Sequence, residues 1–241
     1  MLQQPTAKTT ILFCKPTTKA RIILPLPIPP PFLKVPGLVG AIADWITATA
    51  IYPQPALSLG AALTIVGTAA GRHIMGPTRS GTHLYVVGIA RTGAGKNHPL
   101  TQIGTIMTAA GMAAHVGPSQ FISMPSVINF LVREPLSVCP MDEFGAFLKR
   151  VNNKRASGFE GAVSSVLRMA WGNSFTTMNT PEWAQLPSRK IESPAMSIFG
   201  VSTAGEFYAS LEGADIVNGI LNRFLIIESP GRPKKHNPAT D

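Results

Sequence analysis

The feature that most constrains the fold is an apolar run that leads directly into a glycine-rich loop ending in lysine. Leu84–Ala90 is apolar and β-prone, and the loop Arg91-Thr-Gly-Ala-Gly-Lys96-Asn97 follows it without a gap. An apolar pattern with helical spacing comes next, with Leu100, Ile103, Met107, Ala110 and Ala114 on one face. A strand, a glycine-rich loop and a helix in this order predict an α/β fold with an anion site at the start of the helix.

The loop carries the residue types that a phosphate cradle requires. Gly93 and Gly95 let the backbone bend so that successive N–H groups face a phosphate. Lys96 supplies a mobile positive charge for the β- and γ-phosphates. We therefore expect the loop to bind ATP or a related nucleotide. The predicted contacts are Arg91, Thr92, Gly93, Ala94, Gly95, Lys96, Asn97 and His98.

Two positions depart from the pattern G-x-x-x-x-G-K-[ST] of phosphate loops. Ala90 replaces the first glycine, and Asn97 replaces the serine or threonine whose hydroxyl contacts Mg²⁺. An amide oxygen can ligate Mg²⁺ or hold one of its waters, so Asn97 remains a candidate metal ligand. The alternative is a glycine-rich turn at the end of a strand, with no ligand.

An acidic pair follows a second apolar run. Leu136–Met141 ends in Asp142-Glu143, downstream of the glycine-rich loop. Asp142 is the candidate ligand for Mg²⁺ or its water, and Glu143 is the candidate base that orients and deprotonates the attacking water. The alternative is that Asp142 only caps a helix beginning near Phe144. Pro140 lies inside this run and predicts a bulge.

Two later strands carry further candidates. Met196–Ser202 is followed by Thr203, and a hydroxyl at Ser202 or Thr203 could contact the γ-phosphate or the lytic water. Glu206 lies three residues beyond Thr203, which equally fits a helix N-cap. Arg223 begins a last strand, predicted over Arg223–Glu228. It is a candidate arginine finger for a neighbouring subunit, with a structural ion pair as the alternative.

The chain as a whole predicts a helical lead-in before a mostly parallel sheet of about five strands sandwiched by helices. A further strand is expected at Ala113–Gly117, and further helices after Ser123 and at Glu160–Ala170. The predicted divisions are a Pro-rich basic flexible segment at 1–36, a lead-in at 37–83 broken at Pro53 and Pro55, a core at 84–230, and a tail or linker at 231–241.

The formal net charge of +9 predicts a polyanionic partner, and single-stranded DNA is the first candidate. Four basic residues after the acidic pair are its candidate contacts, with a solvated helix face as the alternative: Lys149, Arg150, Lys154 and Arg155. The longest nearly apolar stretch, 56–71, is too short for a membrane span. Two distant cysteines form no disulfide framework, so we expect a cytoplasmic protein.

In order along the chain, four motifs resemble phage and prophage P-loop ATPases of the domain-of-unknown-function type, which are related to primase-helicases. They are Gly93-Ala-Gly-Lys96, Asp142-Glu-Phe-Gly-Ala-Phe147, Leu167-Arg-Met-Ala-Trp-Gly172 and Gly219-Ile-Leu-Asn-Arg-Phe-Leu225. Ile42–Trp45 and Tyr52–Arg72 resemble the lead-in of that family, so the resemblance covers roughly 38–230. It implies a RecA-like or AAA-like core, ATP, Mg²⁺, a homo-oligomeric ring and a role in mobile-element DNA replication.

Three functions stay open at this point. The first is an ATP-driven, helicase-like DNA replication motor. The second is an ATP-dependent switch or loader that does not unwind DNA. The third is a degenerate nucleotide-binding module without turnover, which the substitution at Asn97 suggests.

Overall fold

The computed structural model describes residues 28–151, 158–182, 187–211, 219–229 and 231–238. The Pro-rich segment predicted for 1–36 therefore falls mostly outside the described residues. Its last part holds a 3₁₀ turn at Pro30–Leu33. The described part of the chain contains no helix with both the length and the apolar character that crossing a membrane requires.

Seven helices and six strands make up the described fold. The helices are α1 (Gly37–Ala48), α2 (Pro55–Ala69), α3 (Asn97–Ala109), α4 (Met124–Arg133), α5 (Phe144–Val151), α6 (Gly158–Gly172) and α7 (Ala204–Ser210). The strands are β1 (Tyr85–Ala90), β2 (Leu136–Met141), β3 (Thr177–Asn179), β4 (Lys190–Glu192), β5 (Ala195–Ser202) and β6 (Phe224–Ser229). The lead-in is helical and broken near Pro53 and Pro55, as the sequence predicts.

The main sheet has four strands in the order β2-β5-β1-β6, and every pairing is parallel. All six residues of β1 are buried, because β1 lies between two strands and under helices on both faces. Its residues alternate between two cores. Val86 and Ala90 pack with α2 and α3 on one face, and Tyr85, Val87 and Ile89 pack with α4–α7 on the other. The α/β class predicted from the sequence is confirmed.

The strand predicted at Ala113–Gly117 is wrong. Ala113–His115 forms a 3₁₀ turn, and only one isolated bridge, between Val116 and Val138, continues the sheet beyond β2. Pro118 follows at once and has no N–H to donate, so the ladder cannot extend. The described main sheet therefore has four strands where about five were expected.

The bulge expected at Pro140 is also absent. Residues 136–141 of β2 pair one to one with β5, and Pro140 lies opposite Phe199. In the described sheet β2 is an edge strand. A proline fits there because its missing N–H can face away from the neighbouring strand.

Candidate nucleotide site

The glycine-rich loop leaves the carboxyl end of β1 and runs directly into α3. Gly93 and Gly95 have φ of +69° and +92°, which is the left-handed backbone that glycine adopts without strain. A Cβ on Gly95 would lie 2.3 Å from the carbonyl oxygen of Tyr52. A side chain at this position would therefore displace the loop from the segment before α2. The turn that a phosphate cradle needs is present.

The two motifs predicted to act together lie in direct contact. Lys96 Nζ is 3.3 Å from Asp142 Oδ1, although the residues are 46 apart in the chain. Asn97 accepts from Lys96 Nζ through Oδ1 at 3.2 Å and donates through Nδ2 to Asp142 Oδ2 at 3.0 Å. The loop and the end of β2 thus share one hydrogen-bonded cluster of an ammonium, an amide and a carboxylate.

Asp142 also forms the local contact that the capping alternative suggests. Its Oδ1 accepts from the backbone N–H of Glu143 at 2.8 Å, just before α5 begins. Glu143 is exposed and has a φ of +50°, which is strained for a residue with a side chain. Asp142 thus both shapes the start of α5 and contacts Lys96.

An open cleft of about 530 Å³ lies over this cluster. Its lining contains most of the predicted loop contacts together with side chains from other parts of the chain. The lining residues are Tyr52, Thr92, Gly93, Gly95, Lys96, Asn97, Glu143, Thr203 and Glu206. Among the described residues, no three His, Cys, Asp or Glu side chains cluster to hold a metal by themselves. A cation here would need oxygens from a ligand as well.

Three predicted loop contacts do not line the cleft. Arg91 is exposed beside it, and Ala94 is fully buried. His98 turns toward α1, where its Nε2 lies 3.0 Å from Thr49 Oγ1. Burial lowers the pKa of His98, so this ring favours its neutral form. Ala94 and His98 therefore lie on the protein side of the loop, away from the cleft.

The end of β5 reaches the cleft through Thr203 and Glu206. Thr203 Oγ1 accepts from the N–H of Glu206 at 3.4 Å and caps α7. Ser202 is fully buried; its hydroxyl donates to Glu206 Oε2 at 3.2 Å and accepts from Gly145 N at 3.3 Å. Ser202 therefore joins α5 to α7 behind the cleft, and Thr203 lies at its surface.

Sequence reasoning missed Glu206 and Tyr52 as cleft residues. Glu206 was visible only as the third residue after an N-cap. Tyr52 precedes the glycine-rich loop by about 40 residues, and the sequence marked it only as the first residue of the stretch that resembles the lead-in. A cleft residue of this kind is recognisable only when the tertiary structure places its segment against the loop.

Arg223 lies at the opposite end of the strands, level with the amino end of β1. It ends a 3₁₀ turn at Leu221–Arg223, one residue before β6, and Phe224 pairs with Tyr85 at the amino end of β1. Because β1 has six residues, Arg223 is roughly 20 Å from the phosphate loop of its own chain. Its Nη1 donates to Gly219 O at 2.6 Å. Its own cleft is out of reach, so a finger role requires a neighbouring subunit.

The basic residues predicted to bind DNA are only partly described. Lys149 is exposed at the end of α5. Arg150 donates to Phe121 O at 3.3 Å, and its guanidinium lies 6.0 Å from the centre of the Phe147 ring. Lys154 and Arg155 lie outside the described residues.

No protein-family model and no curated protein matches the chain. The likeness to phage P-loop ATPases therefore stands on the motifs quoted above, and the cleft is interpreted from its own chemistry.

Proposed function

We propose that the protein binds and hydrolyses ATP, and that it serves a phage or mobile element as a helicase-like DNA replication motor. The carrying observation is the contact between Lys96, Asn97 and Asp142 beneath an open cleft. Ligands of open parallel α/β sheets bind beyond the carboxyl ends of the strands, and the cluster lies at that edge. The triphosphate would be the only part of the nucleotide that this cluster needs to recognise.

The loop supplies the phosphate contacts. Backbone N–H groups of Gly93, Gly95, Lys96 and Asn97 and the positive end of the α3 dipole attract the β-phosphate, whereas the Ala94 N–H donates to Arg91 O. Lys96 adds a point charge that can move, because four methylene groups carry it. Binding exchanges the Lys96–Asp142 contact for a contact to phosphate oxygen.

Asp142 and Asn97 are the residues that would hold Mg²⁺. The two side chains meet through Asn97 Nδ2 and Asp142 Oδ2 at 3.0 Å, so Asn97 would have to turn its Oδ1 toward the ion, and Mg²⁺ is usually bound by one or two carboxylates plus phosphate oxygens and waters. The donor set therefore fits this ion. When bound, Mg²⁺ neutralises charge on the phosphates.

Glu143 is the candidate base for the attacking water. Its carboxylate lines the cleft and is exposed, so a water can reach it. Its strained backbone is the kind of feature that persists where the surrounding structure holds it for function. Thr203 lines the same cleft from β5 and is available to hydrogen-bond that water or the γ-phosphate.

The DNA role is supported by the net charge of +9 and by the resemblance to phage ATPases. An ATP-dependent switch or loader is the second candidate. A degenerate module is the third, because Asn97 already satisfies one oxygen of Asp142 and replaces the usual hydroxyl. A homo-oligomeric ring is proposed from the resemblance to phage ATPases, and in such a ring Arg223 could act on the cleft of a neighbouring subunit.

Steady-state ATP hydrolysis with and without single-stranded DNA tests the proposal. The wild-type protein should turn over ATP faster with DNA, and strand displacement should separate a motor from a switch. Lys96→Ala should abolish binding and turnover. Lys190→Ala, on the exposed ribbon strand β4, is the matched control for loss of one positive charge. Absence of ATP binding by the wild-type protein would refute the proposal, and binding without turnover would favour the degenerate module.

A test in trans addresses Arg223. Arg223→Ala should bind ATP and lose turnover, and mixing it with Lys96→Ala protein should restore part of the activity in a ring. If mixing restores no activity, the role of Arg223 is structural, through its hydrogen bond to Gly219 O.

A further inference from the structure

Among the residues that the structure describes, Tyr52 is the one aromatic side chain that lines the cleft. The cluster of Lys96, Asn97 and Asp142 accounts for the phosphate end of a nucleotide, but none of these groups suits a flat heterocycle. An aromatic ring does, because every nucleobase presents a π-face that stacks on it. Tyr52 is half-buried, so part of its ring is covered by protein and part remains accessible.

The backbone of Tyr52 is fixed to the phosphate loop. Its carbonyl oxygen lies where a Cβ on Gly95 would project. Two residues on, Gln54 is buried, and its Nε2 donates to Ala94 O at 2.7 Å. The distance between the phosphate cradle and the aromatic ring is thus set by two contacts between the same pair of segments. A ligand that contacts both the loop and the Tyr52 ring therefore binds groups whose spacing is already fixed.

The ring itself is held by Arg232. The guanidinium carbon lies 4.8 Å from the centre of the Tyr52 ring, and Nη2 donates to the Tyr52 hydroxyl at 3.1 Å. The segment that carries Arg232 is anchored alongside: His236 N donates to Ile51 O at 2.7 Å, and Gln54 Nε2 donates to Gly231 O at 3.3 Å. Residues 231–238, expected to be only a tail or linker, form part of the wall behind Tyr52.

We propose that Tyr52 binds the base of the nucleotide and that Arg232 holds the ring ready for it. This inference rests on the proposed function, since it names the subsite for the nucleoside half of the same ligand. A ring fixed before binding loses little conformational freedom when the base stacks on it, which strengthens binding. Because the subsite stacks on the face of the base, it should bind a nucleoside triphosphate more tightly than the phosphate chain alone.

Comparing ATP with inorganic tripolyphosphate tests this directly, because the second ligand keeps the phosphates and lacks the base. Calorimetry on Tyr52→Leu should show ATP affinity falling roughly tenfold, with tripolyphosphate affinity unchanged. Tyr52→Phe keeps the ring and should stay near wild type. Arg232→Gln should weaken ATP less than Tyr52→Leu does, again without changing tripolyphosphate binding.

Equal losses for both ligands in Tyr52→Leu, or no loss for either, would overturn the inference. If that variant does not fold, Arg232→Gln decides, because an unchanged ratio of ATP to tripolyphosphate affinity also overturns it. Wild-type protein that binds tripolyphosphate as tightly as ATP would refute the base subsite alone. Wild-type protein that binds neither ligand would refute the proposed function itself.

Discussion

The two ends of β1 lie in regions of opposite chemistry. At the carboxyl end the chain enters an exposed loop with two left-handed glycines, and Lys96, Asp142 and Glu143 gather under an open cleft. At the amino end Tyr85 is buried, with its ring 4.7 Å from Trp171 and 5.2 Å from Phe224. The carboxyl edge, at the carboxyl end of β1, contains charged side chains, a strained residue and an open cleft. The amino edge, at the other end of β1, contains packed aromatic rings.

The two regions should contribute differently: the packed rings to the free energy of unfolding, and the exposed charges to the proposed ligand binding. Burial of aromatic rings is strongly stabilising, so changes at the amino edge should act on unfolding. Exposed charges contribute little to stability, so changes at the carboxyl edge should act on ligands.

The largest effect is expected at Glu143. Glu143→Gln removes the proposed base and should lower turnover about a thousandfold, while ATP affinity stays close to wild type. Single-turnover hydrolysis and calorimetry measure the two quantities. Turnover equal to that of wild type would remove Glu143 from the role of base.

A glycine at the same position serves as the matched control for backbone strain. Glu143→Gly relaxes the left-handed φ of +50°, so it should be about 1 kcal/mol more stable to urea than Glu143→Gln. Both variants should lack turnover. A less stable glycine variant would show that the backbone at Glu143 is not strained.

The second effect concerns His83 at the amino edge. Burial lowers the pKa of His83 from 6.5 to about 4, so the unfolded chain takes up a proton at a higher pH than the folded protein does. The contribution of neutral His83 to the free energy of unfolding is fully present above pH 6.5. It falls as the pH is lowered from 6.5 to 4, by about 3 kcal/mol in all. Urea unfolding across this range should show the loss, and His83→Gln should reduce the pH dependence. An equal pH dependence in the variant would assign the loss to other groups.

A third, smaller effect is expected for Tyr85→Phe. The Tyr85 hydroxyl donates to Leu167 O at 3.0 Å in the buried core, and its loss should destabilise the protein by about 1 kcal/mol. ATP affinity should not change, because the ring and its packing remain. A change in affinity larger than the change in stability would show that the two edges are coupled.

The smallest effect is expected for Asn97→Ser, which restores the hydroxyl usual at this position. It should lower the Mg²⁺ concentration for half-maximal turnover by roughly threefold, and Asn97→Ala should raise it. Stability should barely move, because Asn97 is exposed. If Asn97→Ser raises the Mg²⁺ concentration for half-maximal turnover, the amide is the better ligand in this cleft.

The parts of the fold predicted from sequence are those with a strong local signal. The strands β1, β2 and β5 are continuous apolar runs, and their observed bounds lie within a residue of the predicted ones. The short strands β3 and β4 were not predicted, since three residues show too little periodicity. The start of α7 was predicted only as the N-cap alternative at Thr203, and the structure shows that cap. Ala113–Gly117 is largely apolar, but it joins β2 only through the bridge between Val116 and Val138 and the hydrogen bond from Gly117 N to Val138 O. Whether a segment finds a neighbouring strand depends on the tertiary structure, which the local sequence does not show.

The candidate site divides in the same way. Lys96, Asp142 and Glu143 could be proposed from the sequence because each belongs to a motif with recognisable chemistry, at the carboxyl ends of β1 and β2, which β5 separates in the sheet. His98 was assigned to the nucleotide by its position in the motif, but the ring lies beside Thr49. Side-chain direction depends on neighbours from the lead-in helices, and no local pattern records them.

The hydrogen bonds of Gln54 bear on the order in which the protein matures during synthesis. Gln54 connects the phosphate loop at Ala94 with Ser229 and Gly231, which are 175 and 177 residues further along than Gln54 itself. A ribosome releases the chain from its amino end, so the loop emerges long before the residues that complete its support. The cleft gains its full set of contacts only after residue 231 has left the exit tunnel.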